Sequence, residues 1–469
     1  MVASYDVVLV GAGPAGIFAA MELAGSGLRT LLLEKGPDLD KRPRLGEIQN
    51  YSPGDRRLRW QISGFGGAGA YSDGKLTLST EVGGRLDEII GVPALRELID
   101  QVDRTYLRFG GTDRIYGVSE EIEDLRRRSA LAGLRLTPTP IRHLGTDQCY
   151  HILEAMRRYL DGAVDVRTET AVEQILLDGG RVRGVRTAAG EEITAAYVVV
   201  APGREGSQWL QAEVRRLGLS VRQNPVDVGV RVELAAPVLE NLTSVLYESK
   251  LEMYTRAFDD RIRTFCMCPG GEVTMEHTGG EDAVITVNGH SYLDRHTDNT
   301  NFALLISTRF TEPFREPIAY GRYIARLANL LGGGVIVQRL GDLLAGRRST
   351  PERISRGVVE PTLKSATPGD LSFVLPYRYL TDITEMLQAM DCLAPGVYSR
   401  HTLLYGVEVK FYSMRLHVNS QLETEVDNLF AAGDGAGVTR GLVQASAAGV
   451  AAAREIMRRA GVTRPAVRA

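Results

Sequence analysis

The stretch Tyr5–Leu23, YDVVLVGAGPAGIFAAMEL, decides how the rest of the chain is read. Its first six residues, Tyr5–Val10, are an apolar, β-branched run of the kind that forms a strand buried on both faces of a parallel sheet. The next six, Gly11-Ala12-Gly13-Pro14-Ala15-Gly16, place glycine first, third and sixth. The three glycines serve different ends. Gly11 makes the tight turn, Gly13 lets the backbone approach a pyrophosphate, and Gly16 packs helix against strand. Gly16–Leu28 reads as a small-residue helix, with Pro14 and Ala15 in the turn before it, and the N–H groups and dipole at its start suit a phosphate charge. Thr30–Glu34 then reads as a second strand, completing a βαβ unit. Glu34 lies about 20 residues past the motif, where a carboxylate grips an adenosine ribose, with Lys35 beside it. Strand, turn, helix and acid together mark a dinucleotide site without saying which dinucleotide.

Outward from this unit, composition narrows the rest. The chain has 469 residues, 44% of them hydrophobic, enough for large cores and two or three domains. The formal net charge of −3 carries no basic excess for nucleic acid and no polybasic cluster for an anionic membrane. No apolar run is long enough to span a bilayer. Four scattered cysteines, Cys149, Cys266, Cys268 and Cys392, do not make a disulfide framework, which points to a reducing cytoplasm. Six lysines among the 55 basic residues leave an arginine-rich chain, in keeping with a GC-rich bacterial genome.

Residues 81–134 read as mostly helical and Thr146–Asp161 as another helix. From Val164 to Val200, short alternating segments broken by DGG and AAGEE read as a three-stranded β-meander followed by a return strand. Strand-like runs lie between Val221 and Arg309, and Ile318–Leu344 and Leu380–Met390 look helical. The segment Leu429–Gly437, LFAAGDGAG, is an apolar strand ending in Gly433-Asp434, followed by a glycine-rich turn that opens a long helix at Gly441-Leu442-Val443. This end of the chain resembles the second half of two-part FAD folds, in which a strand-terminal aspartate of this kind binds the ribityl chain and the following helix N-terminus faces the flavin pyrimidine, where amides and a positive dipole end suit the charge that appears on reduction.

With GxGxxG at one end and this Gly-Asp motif at the other, the chain resembles the glutathione-reductase-like FAD superfamily. The resemblance implies a backbone contact from Val172 to the adenine, and it likens Ala201-Pro202-Gly203 to the end of that superfamily's middle segment. A second glycine cluster, GFGGAGAYSDGKL at Gly64–Leu76, joins RTFCMCPGG at Arg263–Gly271, EVKFYS at Glu408–Ser413 and AGDGAGVTRGLVQA at Ala432–Ala445. Together these are similar to a group of uncharacterised bacterial FAD-dependent dehydrogenases. That likeness implies non-covalent FAD, with Gly66, Gly67, Ala68, Gly69, Ser72 and Asp73 as flavin contacts, and it names no substrate. Arg204-Glu205-Gly206 after the Ala-Pro-Gly motif departs from the group's pattern.

The expected fold is α/β: a Rossmann-like FAD-binding domain (residues 1–80, 140–219 and 369–469) with a parallel sheet and three-stranded meander, a helical insertion (81–139) and an inserted α+β substrate domain (220–368). The expected function is an FAD-dependent oxidoreductase, a dehydrogenase or reductase, passing a hydride between a small organic substrate and FAD. Two alternatives stand beside it: a flavin-dependent monooxygenase, though Pro202-Gly203 stands where those carry Asp-Gly, and a non-catalytic FAD-binding or redox-sensing protein. Catalytic candidates are Cys266, Cys268 and Lys410. The cysteines are read chiefly as packing residues, and Lys410 chiefly as a partner in a surface salt bridge. None of the seven histidines sits in a motif, and no cluster has metal-ligand spacing. Between Pro225 and Arg400 no second strand–GxGxxG–helix unit appears, so any NAD(P)H acts transiently.

Overall fold

The computed structural model describes residues 3–43, 60, 62–222, 224–277, 283–292, 295–308, 310, 316–411 and 414–462. In chain order its main strands are β1 (Ala3–Val10), β2 (Thr30–Leu33), β3 (Asp165–Arg167), β4 (Val172–Asp178), β5 (Arg181–Thr187), β6 (Glu192–Val200), β7 (Val226–Ala235), β8 (Lys250–Tyr254), β9 (Arg261–Cys268), β10 (Glu272–His277), β11 (Ile285–His290), β12 (Asn299–Thr308), β13 (Ile336–Arg339), β14 (Leu403–Lys410) and β15 (Leu429–Ala431). The helices that matter below are α1 (Pro14–Leu23), α2 (Thr146–Leu160), α3 (Pro317–Gly332), α4 (Tyr377–Leu393) and α5 (Leu442–Arg459). Among the described residues no helix is long and apolar enough to cross a membrane.

The chain divides into two compact units. The first comprises residues 1–113, 142–224 and 413–469. Its sheet runs β3-β2-β1-β6-β5-β4, with β15 beside the second half of β6. The β3-β2-β1-β6 part and the β6–β15 pair are parallel, whereas β4-β5-β6 is an antiparallel meander. Every residue of β2 is buried, as the continuous apolar run requires. This is the α/β dinucleotide fold expected from the sequence, with one correction. The first alternating segment, VDVRT, is not a meander strand but the parallel edge strand β3, and the meander is completed by β6 itself. An edge strand alternates for the same reason a meander does, because one side meets solvent, so the pattern alone does not separate them.

The second unit comprises residues 114–141 and 225–412. Its main sheet runs β13-β14-β7-β12-β9-β8 between short edge strands at Thr367–Pro368 and Arg135–Thr137, and β10 and β11 form a separate hairpin. Two boundaries differ from those expected. Residues 81–139 do not form one insertion: 81–113 belong to the first unit and 114–139 to the second. Residues 369–412 belong to the second unit, because β14 lies between β7 and β13 in the sheet interior. The expected helix at Ile318–Leu344 also breaks. It stops at Gly332 with Gly333 as a left-handed cap (φ 66°), and β13 follows.

One face of β7 carries Val226, Val228, Val230, Val232 and Leu234, which pack with Phe302, Leu304 and Ile306 of β12 and with buried residues of α3 and α4 such as Ala325 and Met386. The other face carries Asp227, Arg231 and Glu233, all fully buried.

Candidate cofactor site and polar sheet face

In the first unit, β1 ends in Gly11 at φ 105°, and a side chain there would place Cβ 2.2 Å from the Ala201 carbonyl oxygen. A Cβ at Gly16 would lie 1.9 Å from the Gly11 carbonyl oxygen. These two glycines are therefore demanded by the protein's own backbone. Gly13 differs: its φ is −81°, and nothing lies within 4 Å of an added Cβ. The turn keeps this glycine where the protein itself has no use for it, which fits a ligand's close approach. Helix α1 begins there with Pro14 at its first position and no side-chain cap.

Helix α5 repeats the device. It opens on Gly441 (φ 102°), again with no side-chain cap. Asp434 sits just before it, accepting from Thr439 Oγ1 at 2.8 Å and from the Gly441 N–H at 3.2 Å. Burial raises the Asp434 pKa, and the nearby Arg204 charge opposes that rise. Helices α1 and α5 touch by backbone: a Cβ at Gly449 would sit 2.0 Å from the Ala15 carbonyl oxygen. Gly433 faces the Ala15 methyl, at 3.1 Å from its own would-be Cβ. Two helix N-termini thus open side by side.

The second glycine cluster docks on the first. The Gly66 N–H donates to the Ala12 carbonyl at 2.8 Å. A Cβ on Gly67 would be 3.1 Å from the Gly13 Cα, and one on Gly69 would be 2.9 Å from Leu442 of α5. Ala68 belongs to the same short helix, Gly67–Tyr71, and Ser72 caps its end, its hydroxyl donating to the Gly69 carbonyl at 2.9 Å. Asp73 is buried and paired with Lys75 at 2.8 Å. Val172 begins β4 opposite Thr187, and Gly203 ends the loop after Ala201, close beneath Gly435. Lys35 points to Glu205, 3.7 Å away.

Two residues do more than their sequence context suggests. Glu34 is buried rather than standing open at a strand end. Its Oε2 accepts from the Ala12 N–H at 2.9 Å, and its Oε1 from the N–H groups of Gly36 at 2.8 Å and Gly64 at 3.0 Å. The carboxylate therefore ties both glycine clusters to the end of β2. Arg42 belongs to no sequence motif. Its guanidinium donates to the carbonyls of Trp60, Phe65 (2.7 Å) and Gly67 (2.9 Å), holding the second cluster in place, and burial lowers its pKa. Only its place in a charged, proline-rich loop could have drawn attention to it.

These features fit FAD on the chain's own geometry: paired uncapped helix N-termini for charged oxygens, and an open glycine face at Gly13. Comparison with known families agrees. A model described as an FAD binding domain matches residues 4–52, and one described as FAD-dependent protein, C-terminal domain-like, matches residues 225–411. The chain is an FAD-binding protein. Along 96% of its length it is 28% identical to an uncharacterised protein of Clostridium beijerinckii, covering 80% of that protein. A 47-residue piece, 10% of this chain and 12% of the other, is 53% identical to a digeranylgeranylglycerophospholipid reductase of Picrophilus torridus. Among solved structures, the flavoprotein is loosely similar to a glycine oxidase from Geobacillus kaustophilus (TM-score 0.41, 14% identity, 97% of this chain and 95% of that one) and to an L-proline dehydrogenase from P. horikoshii (0.42, 11%, 99% and 95%).

In the second unit the catalytic candidates lie on the polar face of the sheet. Arg231 donates to both carboxylate oxygens of Glu408 (2.8 and 3.0 Å), to Asn301 Oδ1 (2.6 Å) and to the Cys266 carbonyl (3.1 Å). Lys410 lies 3.1 Å from Glu408 and 3.4 Å from Glu276. It is not in the surface salt bridge expected of it: its side chain is 6% exposed. Burial alone would lower its pKa, but the two glutamates outweigh that and hold it raised. Glu233 accepts from Tyr405, Thr362 and Asn299, and burial raises its pKa. Cys268 is buried and Cys266 half-buried, and none of the four cysteines is in a disulfide.

Proposed function

We propose that this flavoprotein is an oxidoreductase, a dehydrogenase or reductase that transfers a hydride between a small organic substrate and FAD. Bound FAD would supply the hydride chemistry. The observation that carries the reading is the pair of helix N-termini, α1 and α5, opening side by side on glycine turns with Gly67 and Gly69 laid against them. In this reading Gly11, Gly13, Pro14, Ala15 and Gly16 receive the pyrophosphate, and Glu34 and Lys35 flank the ribose. Val172, Ala201 and Gly203 border the adenosine half. Gly66–Gly69, Ser72, Asp73, Gly433, Asp434 and Gly441–Val443 hold the flavin half. The two terminal motifs support a place in the glutathione-reductase-like superfamily. The second unit is the substrate unit. Nicotinamide acts only transiently, and the setting is cytoplasmic, in keeping with four scattered cysteines whose spacing makes no disulfide framework.

The test is anaerobic. Purified protein should be yellow and release FAD, not FMN, on heating. Its absorbance should bleach on adding one of a panel of small amines, hydroxy acids or quinols, or NADH or NADPH. FAD that binds tightly yet exchanges electrons with no donor or acceptor would leave the non-catalytic alternative instead.

A further inference from the structure

Cys266 and Cys268 sit where β9 breaks its register. Phe265 pairs with Ala303 and Cys268 with Asn301, so three steps on β9 oppose two on β12. The extra residue is accommodated by Cys266, whose φ is 47°. A side chain in the left-handed region is uncommon and strained, and bulges of this kind re-aim side chains. In an unbroken strand, residues two apart are about 6.7 Å apart, at the outer limit for a disulfide. The left-handed backbone at Cys266 instead turns its side chain out of the regular alternation of the strand. The result is a pair of thiol sulfurs within 4.8 Å of one another. The Cys268 thiol donates to the Cys266 carbonyl at 3.5 Å, the same oxygen that Arg231 holds at 3.1 Å.

The surroundings favour thiol chemistry over inert packing. The Arg231 charge is felt by both thiols and the Lys410 charge by Cys266. Cations beside a thiol favour the thiolate, which is the attacking form. A bridge across one intervening residue closes a very small loop and so gains little stability from chain entropy. Such bridges are labile rather than structural. The other two cysteines are different. Burial pushes the Cys149 thiol up to about 12, and Cys392 is exposed, on α4.

We propose that Cys266 and Cys268 are a reversible dithiol–disulfide couple that exchanges with low-molecular-weight disulfides. Cys266, the more accessible, attacks one sulfur of the external disulfide. That S–S bond breaks, one thiolate leaves, and a mixed disulfide forms on Cys266. Cys268 loses its proton and attacks the Cys266 sulfur, expelling the second thiolate. One internal S–S bond replaces two S–H bonds. Two electrons pass to the external disulfide, which leaves as two thiols carrying the two protons. Closure moves the Cys266 backbone, so the state of the couple is passed to the Arg231–Glu408 pair.

The experiment uses the full-length holoprotein with Cys392→Ser, so that the exposed thiol does not interfere. It is incubated with oxidised glutathione, quenched in acid, alkylated and weighed intact, then mapped by peptide. The expected result is loss of two hydrogens, no glutathione adduct, loss of alkylation at both Cys266 and Cys268, and full reversal by a dithiol reductant. Adding Cys268→Ser should trap one glutathione on Cys266. Continued alkylation of both thiols after oxidation, or accumulation of adduct without closure in the chain carrying both cysteines, overturns the proposal without reliance on any variant at the pair.

Discussion

The glycine turns of the first unit and the polar sheet face of the second are both densely hydrogen-bonded, yet they are built in opposite ways. The first is made of backbone. Gly11, Gly16 and Gly449 let main chains meet at distances where a Cβ would collide, and a single buried carboxylate, Glu34, ties the loops together. The second is made of side chains: Arg231, Glu408, Asn301 and Lys410 are linked across three strands, Glu276 of the hairpin reaches Lys410, and Glu233 beside them is held by Asn299, Thr362 and Tyr405. A backbone-built site tolerates few sequences but costs little electrostatically. A site built of buried charges depends on every partner being present, because the low-dielectric interior makes an orphaned charge expensive.

The largest effect therefore belongs to the second unit. Arg231→Met leaves Glu408 buried without its bidentate partner and should cost about 3–5 kcal/mol of stability, read by denaturant unfolding. Arg231→Met with Glu408→Leu should recover much of that, since removing both charges removes the desolvation problem. Lys410 would then face Glu276 alone, which limits the recovery. A double variant as unstable as the single would show that the pair is worth more than its desolvation, and the contrast between the units would shrink.

Glu34 and Gly16 test the first unit. Gly16→Ala forces a methyl against the Gly11 carbonyl, which no rotamer relieves, and should destabilise by about 3 kcal/mol. Glu34→Ala removes the acceptor of three backbone N–H groups, two of them in different glycine clusters. It should cost about 2 kcal/mol and weaken FAD binding as a consequence. Full stability with lost FAD affinity would instead make Glu34 a pure ligand contact, as its place in the sequence suggests.

That correction shows what the sequence could and could not reveal. The first unit was legible because its demands are local: a glycine spacing, a strand before, a helix after and an acid at a fixed distance. The second was not. Arg231 meets Asn301 from 70 residues away and Glu408 from 177. Its strand, VDVGVRVEL, alternates like one with a solvated face. Nothing in the alternation says that a hairpin will cover that face, yet a Cβ on Gly289 of β11 would lie 2.2 Å from both Arg231 and Asn301. Lys410 reads as a surface residue for the same reason, and the boundary at 369 is hidden because β14 is inserted between strands distant in sequence.

A pH dependence separates the units further. Asp382, on α4, is fully buried, and burial raises its pKa to about 6, with the neighbouring Asp260 adding to the rise and Arg378 opposing it. Its unfolded value is 3.8, so the sign is fixed. Relative stability is complete below 3.8 and is lost as pH rises through 6, on the order of 2 kcal/mol between pH 4 and 7. Unfolding of the second unit, followed by hydrogen exchange, should show this slope, and Asp382→Asn should flatten it. A slope that persists in the variant would assign it to other raised carboxylates such as Glu233.

The smallest effect on the fold is the most informative about the cofactor. Gly13 has an ordinary φ, no neighbour within 4 Å of a Cβ, and a position at the mouth of α1. Gly13→Ala should change stability by less than about 0.5 kcal/mol, because the unfolded chain loses freedom and the folded chain meets no clash. If Gly13 is kept for a ligand's sake, the same methyl should stand where the pyrophosphate must approach the backbone. FAD affinity, read by flavin fluorescence on titrating the apoprotein, should then fall about tenfold or more, at least 1.4 kcal/mol. The pair Gly16→Ala and Gly13→Ala thus divides one motif into a residue the fold needs and a residue only the ligand needs. Unchanged affinity in Gly13→Ala would mean that the dinucleotide does not cross that glycine, and that the open space above it serves some other part of the site.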